Sequence, residues 1–271
     1  MTSPDAQARH MLPGECPDAR KKESMLKRME GVSPTTAPDG LPPGSPAQVQ
    51  AITAELRRLY PQARCSLHFA NPLELLVATQ LAAQCTDERV NLVTVQLFRT
   101  YRSALDYATA SQTDLEAAIY STGFYRNKAK NIRAACQKII SEFGGEVPQT
   151  MAGLLSLAGV ARKTANVVLG NAFGMIEGYT VDTHNIRLAR RFGWTRSEDA
   201  GKIEQELMRL IPQQDWFDLS HLLIYHGRAI CAARKPLCEH CTLSEFCPGA
   251  RFRYPETSLP AVASPHPQAD G

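Results

Sequence analysis

The stretch MAGLLSLAGVARKTANVVLGNAF, residues 151–173, reads as a helix, a tight turn made by LAGVA, and a second helix that opens near Arg162. A turn of this kind leaves backbone N–H groups pointing outward at the start of the second helix. There they combine with the positive end of the helix dipole to hold a phosphate without reading sequence. Lys163, one step beyond Arg162, is then either part of that phosphate grip or a group that does chemistry. Taken alone, a Gly-x-x-Lys in a helical hairpin also fits an ordinary surface lysine.

Outward from the hairpin the chain keeps reading as helix with compact punctuation. SPAQVQAITAELRRLY offers Ser45 as N-cap, Pro46 at the first helical position, and Val49, Ile52, Leu56 and Leu59 on one face. NPLELLVATQLAAQ repeats the device with Asn71 and Pro72, and its apolar spacing predicts a buried helix. TDERVNLVTVQLFRTY, TDLEAAIYSTGF and NKAKNIRAACQKIISEFGG follow, the last closed by Gly144 and Gly145. Further helices are predicted at 184–192, 198–211 and 215–230. No run of alternating strands and no repeat of fixed period is present, so the fold class is all-α.

Composition bounds the remainder. The 271 residues are 44% hydrophobic and 21% charged, the balance of a globular chain with room for one large or two small cores. No apolar stretch approaches the ~20 residues that span a bilayer, and the N-terminus lacks the apolar region of a signal peptide. The expectation is an intracellular protein, by default of a bacterial cytoplasm, with no membrane partner. Eight of the 18 prolines and the basic run RKKESMLKR fall within residues 1–46. Those residues read as a disordered arm, or as residues upstream of a start at Met25, and residues 251–271 read as a disordered tail. The net charge of +3 is modest, and residues 47–254 carry 24 basic against 19 acidic side chains. That excess permits a local nucleic-acid contact without arguing for one.

Cysteine placement says more. Cys16, Cys65, Cys85 and Cys136 are scattered, whereas Cys231, Cys238, Cys241 and Cys247 follow the spacing C-x6-C-x2-C-x5-C within 17 residues. Structural zinc sites usually present two short chelating knuckles. One knuckle with wider gaps suits the separated corners of a [4Fe-4S] cluster better, so the spacing favours the cluster over zinc. The loop between the first two ligands, AARKPL, holds Arg234 and Lys235, which serve either as a tethered phosphate contact or as solubilising charge.

Nineteen residues after Lys163 comes TVDTHNIRLARR, in which Asp182 precedes a helix bearing Arg187, Arg190 and Arg191. Asp182 or Thr183 could cap that helix. Hairpin, lysine, VDTH and four-cysteine loop, in this order and separation, resemble the endonuclease III family of DNA glycosylases over residues 47–250. The resemblance implies a six-helix module at 65–176 and a cluster-bearing module made of 47–64 with 177–250. A groove for double-stranded DNA would lie between them, in a monomeric enzyme of base excision repair.

By position in the motifs, Lys163 matches the family's nucleophile and Asp182 its carboxylate. The implied activity is a bifunctional glycosylase and AP lyase acting on oxidised pyrimidines or abasic sites. Attack on C1′ of the sugar needs an uncharged amine, and an unperturbed lysine is only about 0.04% neutral at pH 7, so the chemistry calls for burial and a helix N-terminus around Lys163. Gln84 of AAQCTD matches the polar side chain that fills the hole left by a flipped base, and Phe124 of STGFY the apolar wedge. Gly159, Val160, Ala161, Arg162, His184, Arg187, Arg234 and Lys235 complete the implied DNA contacts. The chain departs from the family pattern at Ala158, Ala161, Thr122 and Phe124, where proline, glycine, a second apolar residue and leucine are usual. The Ala161 methyl predicts a weaker phosphate grip. Two other readings share these features: an adenine-specific mismatch glycosylase, disfavoured by Lys163, and a non-catalytic DNA-binding or redox-sensing protein.

Overall fold

A computed structural model gives the fold of residues 41–250. The basic run of the arm and the C-terminal tail lie outside the described residues. The last residues assigned above to the arm form a turn, in which the Ser45 N–H donates to the Pro42 carbonyl (3.0 Å) and the Gly44 N–H to Gln48 Oε1 (2.7 Å).

The described residues are helical and contain no strand, as the sequence predicts. In chain order the helices are α1 (Pro46–Leu59), α2 (Pro72–Leu81), α3 (Asp87–Thr100), α4 (Ala104–Thr109), α5 (Gln112–Ile119), α6 (Tyr125–Phe143), α7 (Met151–Leu155), α8 (Arg162–Phe173), α9 (Thr183–Arg191), α10 (Ala200–Leu210) and α11 (Trp216–Ala229). Short 3₁₀ turns occupy Tyr120–Thr122, Gln213–Asp215 and Cys238–His240. The caps explain most boundaries. Ser45 accepts from the Gln48 N–H and Asn71 from the Glu74 N–H, each ahead of a proline at the first helical position. Helix α4 has no counterpart in the sequence reading. Six residues are too short to show a period, and its evidence is the capping box between Ser103 and Asp106. None of these helices is long and apolar enough to cross a membrane.

Two hydrophobic cores result. One is built from α2 to α8 between Leu67 and Leu169. The other joins Val49, Ile52 and Leu56 of α1 to residues from Tyr179 to Ala250. Full burial of each of these three α1 side chains stabilises by about 1.5–3 kcal/mol, enough to hold α1 on a partner distant in sequence. Gln48 adds specificity. Fully buried, it donates to the carbonyls of Phe192 (3.0 Å) and Phe246 (2.7 Å) and accepts from the Trp194 indole (3.1 Å). Two ion pairs cross between the cores, Arg228 with Asp87 (2.8 Å) and Arg162 with Glu204 (2.8 Å).

Candidate active site and nucleic-acid interface

The turn between α7 and α8 closes through the Val160 N–H donating to the Leu157 carbonyl (3.2 Å). Gly159 takes φ +72°, where a side chain would be strained and would also run into Asn131. Ala161 is the N-cap of α8, with extended backbone (φ −94°, ψ 169°), and it contributes no side-chain cap. Alanine is unstrained there, and the first-turn donors of α8 stay open to an anion from outside.

Arg162 and Lys163 separate in role. The Arg162 guanidinium donates through Nε to Glu204 of α10, a buried carboxylate that also accepts from Asn166 Nδ2 (3.1 Å). Sequence reasoning missed Glu204, since its partner lies 42 residues away. The Arg162 side chain is about half exposed but is held toward Glu204, so its backbone N–H is the part left to face an anion at the start of α8. Lys163 is exposed. The burial expected around it is absent in the DNA-free chain, because α8 buries Ala165, Asn166, Val168 and Leu169 on its other face.

Asp182 caps α9. Its Oδ1 accepts from the Asn185 backbone N–H (2.8 Å) and from Asn185 Nδ2 (2.9 Å), and both bonds fall on that one oxygen. Asn185 is fully buried. Its Oδ1 accepts from the Tyr179 hydroxyl (2.8 Å) and its Nδ2 also donates to the Ser220 carbonyl (3.2 Å). The amide is thus held in one orientation by groups on both sides. Sequence reasoning passed over Asn185, although its place three residues after a capping aspartate is the signal that could have found it.

His184 is half-buried beside Asp182. Burial holds its pKa below the usual value, the Arg187, Arg228 and Lys163 charges push the same way, and Asp182 opposes them. The neutral ring accepts at Nδ1 from the Arg187 guanidinium (3.0 Å), which also donates to the carbonyls of Gly227 (3.0 Å) and Cys231 (3.1 Å). Arg187 therefore ties α9 to the end of α11, a role that its place in the sequence did not suggest.

Gln84 and Phe124 stand out by backbone conformation. They are the non-glycine residues with positive φ among the described residues, at 52° and 47°. Such conformations cost about 1–3 kcal/mol for side chains of this kind and persist where surrounding structure enforces them, most often at functional sites. Gln84 lies in the turn between α2 and α3; Phe124 is the N-cap of α6 and is 64% exposed. Behind them Lys128, unremarked in the sequence, is buried with Nζ donating to the carbonyls of Leu81 (2.8 Å) and Thr122 (2.8 Å).

The four C-terminal cysteines follow α11. The Leu237 N–H donates to the Ile230 carbonyl (3.0 Å) and closes the loop carrying Arg234 and Lys235, both exposed. Arg191 donates to Cys231 Sγ (3.0 Å), and Cys241 Sγ lies 3.5 Å from His226 Nε2. Burial first, then the neighbouring sulfurs, push the Cys241 and Cys247 thiols up, Cys247 to about 12. No three His, Cys, Asp or Glu side chains among the described residues converge on the point that a single metal ion needs.

Comparison with known proteins identifies the family. Residues 77–213 match the family described as HhH-GPD superfamily base excision DNA repair protein. Endonuclease III of Synechocystis sp. is 59% identical over 196 residues, 72% of this chain and 90% of that protein. Endonuclease III of Bacillus subtilis is 43% identical over 201 residues, 74% of this chain and 91% of that one. A trapped endonuclease III–DNA covalent intermediate superposes with a TM-score of 0.73 at 41% identity, covering 77% of this chain and 98% of that chain. With matches of this length and identity, the chain belongs to the endonuclease III family of base excision repair DNA glycosylases and AP lyases.

Proposed function

We propose that this chain excises oxidised pyrimidines of the thymine glycol type from duplex DNA with Lys163 as nucleophile and Asp182 as its carboxylate, then cleaves the strand by β-elimination. One observation carries the assignment. The start of α8, which carries Lys163, is bonded to the segment that leads into Asp182: Asn166, three residues after Lys163, donates to the Tyr179 carbonyl (3.4 Å), three residues before Asp182. An exposed amine and a carboxylate thus share one neighbourhood where the two cores meet, beside the open first turn of α8.

The chemistry follows from these groups. The Lys163 nitrogen forms a bond to C1′ as the bond from C1′ to the base breaks, the base leaving with the electron pair and taking up a proton. Loss of a proton from nitrogen and opening of the sugar ring give a protonated Schiff base. That cation acidifies C2′; loss of its proton expels the 3′ phosphate and cuts the strand. Asp182, held through Oδ1, offers Oδ2 to the positive charge developing on the sugar or to a proton in transit. Lys163 is exposed in the free chain, so the dry surroundings its chemistry needs come with the bound DNA.

The phosphate grip is assigned to the backbone of Gly159, Val160, Ala161 and Arg162, with Arg234 and Lys235 as a second contact. Members of this family carry a [4Fe-4S] cluster, and Cys231, Cys238, Cys241 and Cys247 fit one. Arg191 donates to Cys231 Sγ (3.0 Å), which suits a thiolate ligand, and the single short knuckle with wider gaps on either side suits a cubane better than a tetrahedral zinc. Cys231 and Cys238, at the two ends of the loop with Arg234 and Lys235, would be the ligands that anchor that loop, the cluster supplying iron as the thiolate acceptor.

Borohydride reduction of the enzyme on a duplex with thymine glycol or an abasic site tests the nucleophile. Wild type is expected to be trapped covalently and Lys163→Ala not. Trapping that survives in Lys163→Ala overturns the assignment, and a wild type that binds DNA without trapping or cutting it supports the non-catalytic reading.

A further inference from the structure

We infer that Lys128 is a positioning residue that sets the hole-filling turn and the wedge turn in register, so that Gln84 and Phe124 act as one device. The inference rests on reading those two side chains as the pair that enters the duplex. Lys128 sits in the first turn of α6, and its ammonium joins two loops: the Leu81 carbonyl at the end of α2 and the Thr122 carbonyl at the end of the 3₁₀ turn. Leu81 lies three residues before Gln84 and Thr122 two residues before Phe124. The clamp therefore grips each loop next to its left-handed residue, where backbone strain must be held by something outside the loop.

Lys128 is 6% exposed, which removes it from any phosphate and leaves its ammonium to the two carbonyls that accept from it. Burial disfavours the ammonium, so the site keeps a lysine only with both acceptors in place. Gln80, adjacent to Leu81, donates to the Ala158 carbonyl (3.0 Å). The end of α2 thus ties the wedge, the hole filler and the hairpin turn into one rigid unit. Unstacking a base requires the hole and the opposite base to be engaged together. A clamp of this kind makes the position of one side chain depend on the other.

The test compares two reactions of the full-length enzyme. Excision of thymine glycol demands that a stacked base be displaced, whereas cleavage at a preformed abasic site does not. Lys128→Met keeps the length of the side chain and removes the donors. Losing charge-assisted hydrogen bonds is expected to slow single-turnover excision by about tenfold or more, with cleavage at the abasic site lowered less than about threefold. A 2-aminopurine beside the lesion should brighten less on binding. Lys128→Gln, which can still reach one carbonyl, serves if the methionine variant does not fold, and it should show the same split at smaller size. Equal loss in both reactions, or no loss in either, overturns the inference. Gln84→Ala and Phe124→Ala separate the two levels. If they lack the excision-selective signature, the reading of the loops falls and the inference with it; if they show it and Lys128→Met does not, the coupling alone is wrong.

Discussion

Replacing Asn185 by leucine, which keeps the branching of the side chain and cannot hydrogen bond, tests whether the carboxylate of Asp182 is held by a buried polar network. The substitution removes three bonds: Tyr179 hydroxyl to Oδ1 (2.8 Å), Nδ2 to Asp182 (2.9 Å) and Nδ2 to the Ser220 carbonyl (3.2 Å). It leaves the backbone bond to Asp182. One buried group, the Tyr179 hydroxyl, is left without its acceptor, whereas the Ser220 carbonyl loses its second donor and keeps its place in the backbone ladder of α11. At about 1–3 kcal/mol for the stranded hydroxyl, about 1 kcal/mol for the bond to Ser220 and about 1.5 kcal/mol for the bond to the carboxylate, less about 1 kcal/mol from extra apolar burial, the expected loss is about 2–5 kcal/mol. Tyr179→Phe alone should cost about 1–1.5 kcal/mol.

The informative quantity is the double variant. With the hydroxyl gone, leucine no longer strands it, so the double variant should be about 1–2 kcal/mol more stable than the sum of the single losses predicts. Urea unfolding followed by circular dichroism at neutral pH measures all four proteins, with equal m-values as the check that the unfolded state is unchanged. Additivity within about 0.3 kcal/mol would refute the network, because it would mean that Tyr179 and Asn185 are energetically independent. The same Asn185→Leu protein should be trapped by borohydride more slowly than wild type, since Asp182 keeps one of its two bonds.

Two further outcomes follow from the packing. At Gly178 an added methyl would collide with Glu204 Oε1 and lie 2.8 Å from Asn166 Nδ2, so Gly178→Ala should cost about 1–3 kcal/mol and weaken DNA binding by displacing Arg162. A variant as stable as wild type would show that the junction has slack. His221 is held neutral by burial, its pKa brought down from 6.5 to about 4 although Asp218 and Asp182 pull the other way. The unfolded chain takes up the proton first, so the stability contributed by neutral His221 is complete above the unfolded value and lost as pH falls toward 4, amounting to about 2 kcal/mol by pH 5. His221→Gln should flatten that part of the profile, and equal acid sensitivity in both proteins would contradict it.

How much of this was legible in the sequence depends on the range of the interaction. Helices announced by local signals, such as Ser45 with Pro46 and Asn71 with Pro72, were readable because cap and helix are neighbours. The motif residues Lys163 and Asp182 were readable because their order along the chain is distinctive. Arg162 and Arg187 were not, since a guanidinium in a sequence reads as surface charge until its acceptor is known. Their acceptors, Glu204 and the carbonyls of Gly227 and Cys231, lie 40 to 44 residues downstream. Lys128 was hidden in the same way: on the pattern of α6 it is one more polar residue, and only the fold brings the ends of two other elements to its nitrogen. The backbone strain at Gln84 and Phe124 left no trace in composition, because neither residue type advertises a left-handed conformation.

The second core has a history in time as well as a place in space. Its first residues, on α1, emerge from the ribosome well before the segment beginning at Tyr179 that covers them, and Gln48 must wait for Phe246. At a synthesis rate of roughly 5–20 residues per second, Val49, Ile52 and Leu56 spend on the order of ten seconds without their partners while the intervening helices already have theirs. The nascent protein therefore passes through a stage with one finished half and one greasy helix seeking cover, and that helix is the segment a chaperone would be expected to hold.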